Sequence, residues 1–398
     1  MTWTGGTLTQ SNAASAIVFN NAGTGIRNIG ATIDADTTIA NAIDITNSAG
    51  IINFTGGLDI DTTSGTGFNA TGSGTVTVQG TGNSVATSNG TAVNIANTTI
   101  GAAGVTFQSV SANGATNGIV LNNTGTTGTF TVSGIGTTAG SGGTIQNTTG
   151  HGISLTNTGP VSLNNMIISN NTGNGINGSD VTDFELLGSQ VTALGASTAV
   201  NINLGTIIDP LTVNIQNNII TAADGIGIDV RQSTLGTETA NVSIANNSII
   251  GNGAGTQNGN GIIVIQFGNG TVNTLIDNNT ISGFGLEPIF VNASLSNTGT
   301  GTFNSTITNN QTGVAAAGAT ASGISISSQN LNTLCANING NTVAGTGGAD
   351  AIDLAQLNAT ATLNVTQTGA ANVSAVNGGA SVGTTGTVNF GQPTCALP

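Results

Sequence analysis

The sequence has no tyrosine, one tryptophan and one histidine, and its only basic side chains among 398 residues are Arg27 and Arg231. Neutralising phosphates takes many clustered cations, so a nucleic-acid partner is excluded. Charged residues make up 5% of the chain, and 16 acids against 2 bases leave a formal net charge of −14. The acids are scattered, with Asp34 and Asp36, and Asp59 and Asp61, as the densest clusters, so the charge reads as a solubilising excess and not as an acidic patch. No apolar run approaches the roughly 20 residues that span a bilayer. The opening MTWTGGTLTQ has neither the basic start nor the apolar core of an export signal.

Cysteine is also scarce. Cys335 and Cys395 are too few to hold a metal without histidine partners, and their even number late in the chain fits either one disulfide or two buried thiols. A bonded pair implies an oxidising, extracellular setting, in which case a chain without a signal reads as a fragment of something longer. No metal, cofactor or membrane span is expected.

What is present is glycine, 62 residues of it, together with asparagine, threonine and serine, and 37% hydrophobic residues arranged in short alternating runs that a disordered chain has no reason to keep. These runs recur. SLNNMII (162 to 168), VNIQNNII (213 to 220), VSIANNSII (242 to 250), TLIDNNTIS (274 to 282), STITNNQT (305 to 312) and NINGNTV (337 to 343) align, and a second phrase returns as AIVF at 16, AIDI at 42, AVNI at 92, GIVL at 118 and GISL at 152. A beat of roughly 25 to 31 residues built from short strands, with no long helical pattern, marks a solenoid rather than a globular core. Three strands per coil in parallel register let every apolar side chain point into one stack. The expected fold is therefore all-β: a right-handed, three-faced parallel β-helix of about 14 coils over residues 1–365, with 366–398 as a C-terminal capping tail.

Turning from one face to the next in two residues takes the backbone into the left-handed region, which Gly and Asn tolerate best. Stacked coils place Asn over Asn at about 4.8 Å, where their amides can form a ladder. Asn165, Asn218, Asn247, Asn279, Asn310 and Asn341 are thus read as structural corner residues. The beat stretches at 252–260 and 315–322, which are expected to bud as loops, and recognition is expected on loops near 231–240, 252–260 and 283–290, with Phe284 and Glu287 exposed.

The runs GFNATGSGTVTVQGTGNSV, IGAAGVTFQSVSANGATNGIVLNNTG, GGTIQNTTGHGISLTNTGPVSLNNMIISNN and LCANINGNTVAG resemble the right-handed parallel β-helix repeat regions of very large bacterial secreted and surface proteins. The resemblance covers roughly residues 40 to 395 and implies adhesion or surface display. Members commonly carry Ig-like or anchoring modules, and none is visible here.

Right-handed β-helices also host sugar-cleaving enzymes. Gly150-His151-Gly152 matches the histidine motif of polygalacturonases, but the Asn-Thr-Asp, Asp-Asp and Arg-x-Lys motifs of that family are missing, and His151 reads as a turn residue. Paired carboxylates for glycoside hydrolysis could come from Asp224 with Asp229, or from Asp180, Asp183 and Glu185. Asp229 and Arg231 face the same side of a strand, where they form either a site for an acidic sugar or a surface ion pair. The D-x-D pairs Asp34/Asp36 and Asp59/Asp61 lie one beat apart and suggest weak cation binding. Outward Thr in TVTV (75 to 78), VTF (105 to 107) and TFTV (129 to 132) would suit an ice-binding face, but no T-x-T keeps its place through many coils. The chain therefore reads as a non-enzymatic, extracellular stalk or display module. Surface glycans or other protein chains are its expected partners, and open solenoid ends allow end-to-end or lateral self-association. A carbohydrate-binding or carbohydrate-cleaving β-helix using Asp224, Asp229 and Arg231 is the alternative.

Overall fold

A computed structural model describes residues 1–398 apart from 207–209, 234–235, 254–258, 294–299, 314–320 and 345–348. The loop expectations at 252–260 and 315–322 therefore fall largely outside the described residues. The described residues wind through three all-parallel sheets of 15, 13 and 14 strands, a β-solenoid of about 13 turns. The third sheet holds 14 strands among the described residues, and three of them, Ile176–Val181, Ile289–Ala293 and Val382–Thr385, begin without the second phrase. The estimate of about 14 coils becomes 13 turns because the second sheet runs out first.

The chain divides into two compact units, Met1–Val191 and Thr192–Pro398. In the first, a typical turn is made of strands Ile51–Phe54, Leu58–Thr62 and Phe68–Thr71, and the next of Thr75–Val78, Ser84–Thr87 and Val93–Ala96. Each strand pairs in parallel with its counterpart one turn later, so Ile52 meets Val76, Ile60 meets Val85 and Phe68 meets Val93. A one-residue slip would turn every such side chain outward, so the period-2 alternation of Ile and Val fixes the register. Full burial of one such side chain stabilises by about 1.5–3 kcal/mol. Phe54, Phe68, Phe107 and Phe130 run through this interior as an aromatic stack with successive centroids 5.6, 5.7 and 6.2 Å apart.

The second unit follows the same plan with longer strands. Thr239–Ala245, Thr271–Asp277, Thr302–Thr308 and Thr333–Asn339 lie in unbroken register, which stacks Ala240, Val272, Phe303 and Leu334 inward.

Past residue 365 the winding continues. Val382–Thr385 pairs with Ile352–Gln356, and Val388–Phe390 pairs with Thr362–Val365. Between the first-sheet strand Thr362–Val365 and the third-sheet strand Val382–Thr385 comes the seven-residue helix Ala370–Val376, standing in chain order where a second-sheet strand would come. This substitution is why the second sheet is the shortest. The tail is thus a last, modified turn with a helix on one face. Among the described residues, no helix is long and apolar enough to cross a membrane.

Candidate functional site

The repeated asparagine pairs of the second unit divide into two rows with different tasks. The first of each pair, Asn217, Asn246, Asn278 and Asn309, has φ of 59, 58, 53 and 57°, and Gly340 takes the same place with φ 72°. These residues turn the corner. The second of each pair, Asn218, Asn247, Asn279, Asn310 and Asn341, is buried and forms the ladder. Asn247 Oδ1 accepts from both the backbone N–H and Nδ2 of Asn218, each at 3.0 Å. The pattern repeats from Asn247 to Asn279, from Asn279 to Asn310 and from Asn310 to Asn341, at 2.9 to 3.0 Å. The remaining Nδ2 hydrogen goes to a strand carbonyl, Ile215 for Asn247, Ile244 for Asn279, Ile276 for Asn310 and Ile307 for Asn341. Each interior amide is thereby satisfied on both its oxygen and its nitrogen, as a buried amide must be.

The ladder ends on a residue the sequence analysis missed. Asn377, directly after the helix, accepts from Asn341 N at 2.9 Å and from Asn341 Nδ2 at 2.8 Å. Its own Nδ2 donates to Ile338 O and, in place of a further asparagine, to Val373 O within the helix. The corner reading of Asn218, Asn247, Asn279, Asn310 and Asn341 is thereby corrected by one residue, because the preceding residue makes the turn, whereas Asn165 is itself a corner residue. Asn165 has φ 55°, and Met166 stands at the ladder position with its backbone N–H donating to Ser189 Oγ.

The first unit has its own corner row. Asn21, Asn47, Gly72 and Asn97 adopt positive φ directly after third-sheet strands, and Asn123, Asn157 and Asp180 do so within the last three residues of theirs, Ile119–Gly125, Ile153–Thr158 and Ile176–Val181. Asn123 Nδ2 donates to Asn97 Oδ1, and Asn157 Nδ2 to Asn123 Oδ1, each at 2.8 Å. A signal was present in the residue five places after the start of each AIDITN-type phrase. Ahead of the same strands lies a row of side-chain acceptors. Asn41 Oδ1 accepts from Thr66 N, Asn117 Oδ1 from His151 N at 2.8 Å, and His151 Nδ1 from Asn174 N at 3.0 Å. Asp180 occupies a corner, while Asp183 and Glu185 lie on the following strand, Asp183–Leu187, where Ser162 Oγ donates to Glu185.

Of the ligand candidates, the structure brings Asp229 and Arg231 together. With Ile228 and Val230 inward, both face out from strand Ile228–Gln232, and Arg231 Nε and Nη2 each donate at 2.8 Å to a different oxygen of the carboxylate. The surface reading of this pair needs correction, because Asp229 is only 4% exposed. Its strand neighbours Asn201 and Ile263 flank it on the outward face. The hydrogen bond to Asp229 raises the Arg231 pKa further above its ordinary value. Asp224 lies on an exposed bend before this strand, and its carboxylate accepts from Asn252.

Parallel register also brings together four carboxylates that look scattered in sequence. Asp34 pairs with Asp59, and Asp36 with Asp61, so that adjacent turns of the second sheet carry a two-by-two acidic patch, contrary to the expectation of a dispersed charge. A surface depression is lined by Asp36, Thr37, Thr38, Asp61, Thr62 and Thr63. Burial, and then repulsion from Asp59, Asp36 and Asp34, raises the Asp61 pKa above the ordinary aspartate range. Among the described residues, no group of three or more His, Cys, Asp or Glu has a metal-holding arrangement. A carboxyl whose folded pKa is raised contributes stability that is present below its unfolded pKa and lost as pH rises through the folded value. Asp61→Asn is therefore expected to raise the denaturant midpoint at pH 7, with the gain vanishing below about pH 4, where Asp is neutral in both states. Paired urea titrations at pH 7 and pH 3 check this.

Cys335 and Cys395 are bonded, across 60 residues. Cys335 interrupts an outward row in which Asn304 Nδ2 donates to Asn273 and Asn273 Nδ2 to Asn241, and in which Cys335 pairs with Asn304 and Asn364. Phe284, expected at an exposed loop, is 1% exposed and belongs to the core, while its neighbour Leu286 is the exposed residue. Of the outward threonines, Thr106 and Thr131 stack in register, but the next partner is Ser162, and the pairing between Val76 and Val78 and the following strand contains a bulge. Comparison with known protein families, with curated proteins and with solved structures found no match.

Proposed function

We propose that the chain is a non-enzymatic structural or display module, a β-solenoid stalk of a bacterial extracellular, adhesin-like surface protein. The observation that carries this reading is the use made of its polar side chains. The repeated amides from Asn218 to Asn377 spend their hydrogen bonds joining one coil to the next. Load along such a stack is shared among many backbone and side-chain bonds, which suits a spacer. The Cys335–Cys395 bond supports an oxidising, extracellular setting. Surface glycans or other protein chains would meet outward asparagine, serine and threonine, and self-association would use strand edges.

The carbohydrate alternative draws less support. Both Asp229 oxygens are taken up by Arg231, and seven phenylalanines, the rings a sugar platform would need, are fully buried. A glycan array combined with a polysaccharide-degradation screen tests the reading. The expected result is no turnover of any polymer; turnover that is lost in Asp229→Asn would replace the stalk with an enzyme.

A further inference from the structure

We propose that His151 is an acid-sensitive catch on one coil of the first unit, holding the corner that leads into strand Ile176–Val181 only while its imidazole is neutral. The argument rests on which atom it uses. At this corner a side-chain acceptor from one coil receives a backbone N–H of the next: Asn41 Oδ1 serves Thr66, and Asn117 Oδ1 serves His151. His151 then does an asparagine's work with its ring, taking the Asn174 N–H on Nδ1 at 3.0 Å. That bond requires a lone pair on Nδ1, so the folded state selects the neutral tautomer with its proton on Nε2. An amide oxygen keeps its lone pairs at any pH a protein survives, whereas an imidazole gives up this one when it binds a proton. The ring then presents N–H to N–H.

Burial disfavours the imidazolium here. The segment that meets the ring, residues 172–175, and the segment that holds the His151 backbone, residues 116–118, carry no titratable side chain. The backbone approaches so closely that a Cβ added at Gly173 would lie 2.7 Å from Nδ1, which leaves little room for the ring to swing away. Burial alone lowers its pKa, in the direction the geometry requires. A histidine with a lowered folded pKa is neutral in the native chain where the unfolded chain is already protonated, so its contribution is present above the unfolded value of about 6.5 and is lost as pH falls below it.

Native-state hydrogen exchange on the full chain tests this, with rates corrected for their intrinsic pH dependence. In the native protein, protection of the Asn174 amide is expected to be lost between pH 7 and pH 5. In His151→Asn, which restores the oxygen acceptor found at Asn117, protection is expected to persist at both values. His151→Gln is the second variant, should the first fold poorly. A His151 pKa at or above 6.5 by NMR titration would overturn the proposal, as would equal loss of Asn174 protection in the native protein and in the variants.

Discussion

Asn279→Ala is expected to destabilise the second unit by about 3–5 kcal/mol, the sum of two or more orphaned buried donors at roughly 1–3 kcal/mol each and a small cavity. Removing this side chain leaves the backbone N–H and Nδ2 of Asn247 facing nothing and takes a donor from Asn310 Oδ1 and from Ile244 O. Asn279→Asp is expected to fare no better, because it discards the Nδ2 donor and places a charge where residues are buried. The neighbouring exposed residue gives the control. Asn278 has φ 53° and turns the corner, so Asn278→Ala should cost only about 1–2 kcal/mol, because alanine lacks the short polar side chain that lets asparagine occupy the left-handed region. Asn278→Gly should be close to neutral. Urea midpoints of the four variants separate the two roles of one Asn-Asn pair, and equal losses at positions 278 and 279 would show that the pair is not divided as described.

The second large effect is expected on reduction. Cys335 and Cys395 close a 60-residue loop, for which the chain-entropy relation gives about 4 kcal/mol of stabilisation. That loop encloses Asn341 and its partner Asn377, so the bond also holds together the segment that finishes the ladder. Denaturant titrations with and without reductant, and of the Cys335→Ser/Cys395→Ser double variant, should agree with each other and show a midpoint well below that of the oxidised chain. Coincident curves would mean that the tail is held by its strand pairings to Ile352–Gln356 and Thr362–Val365 alone.

The solenoid was legible in the sequence because its causes are local and repeated. Alternating Ile and Val, corner Gly and Asn, and a steady beat suffice to specify three stacked sheets. The ladder was legible for the same reason, but the contrast of Asn165, which turns a corner, with Asn218, Asn247, Asn279, Asn310 and Asn341, which point inward, was not. The phrase around Asn165, SLNNMII, places an Asn pair one position earlier relative to the turn than VNIQNNII does, and identity alone cannot say which asparagine turns and which points inward. The burial of Asp229 depends on Asn201 and Ile263, which are about 28 and 34 residues away and meet it only through register. The acidic patch arises in the same way, from Asp34 over Asp59 and Asp36 over Asp61. Phe284 was misread because Gly, Glu and Pro around it look like a loop, yet its ring is packed into the core. The terminating helix is seven residues long, too short for a periodic signal.

The central claim is that asparagine pairs separate into an outer turning row and an inner bonded row. Side-chain amide exchange measured by NMR on the native chain tests it most directly. The Nδ2 protons of Asn247, Asn279, Asn310 and Asn341 should exchange slowly, and those of Asn246, Asn278 and Asn309 fast. Equal rates in the two rows, or fast exchange in the inner one, would contradict it.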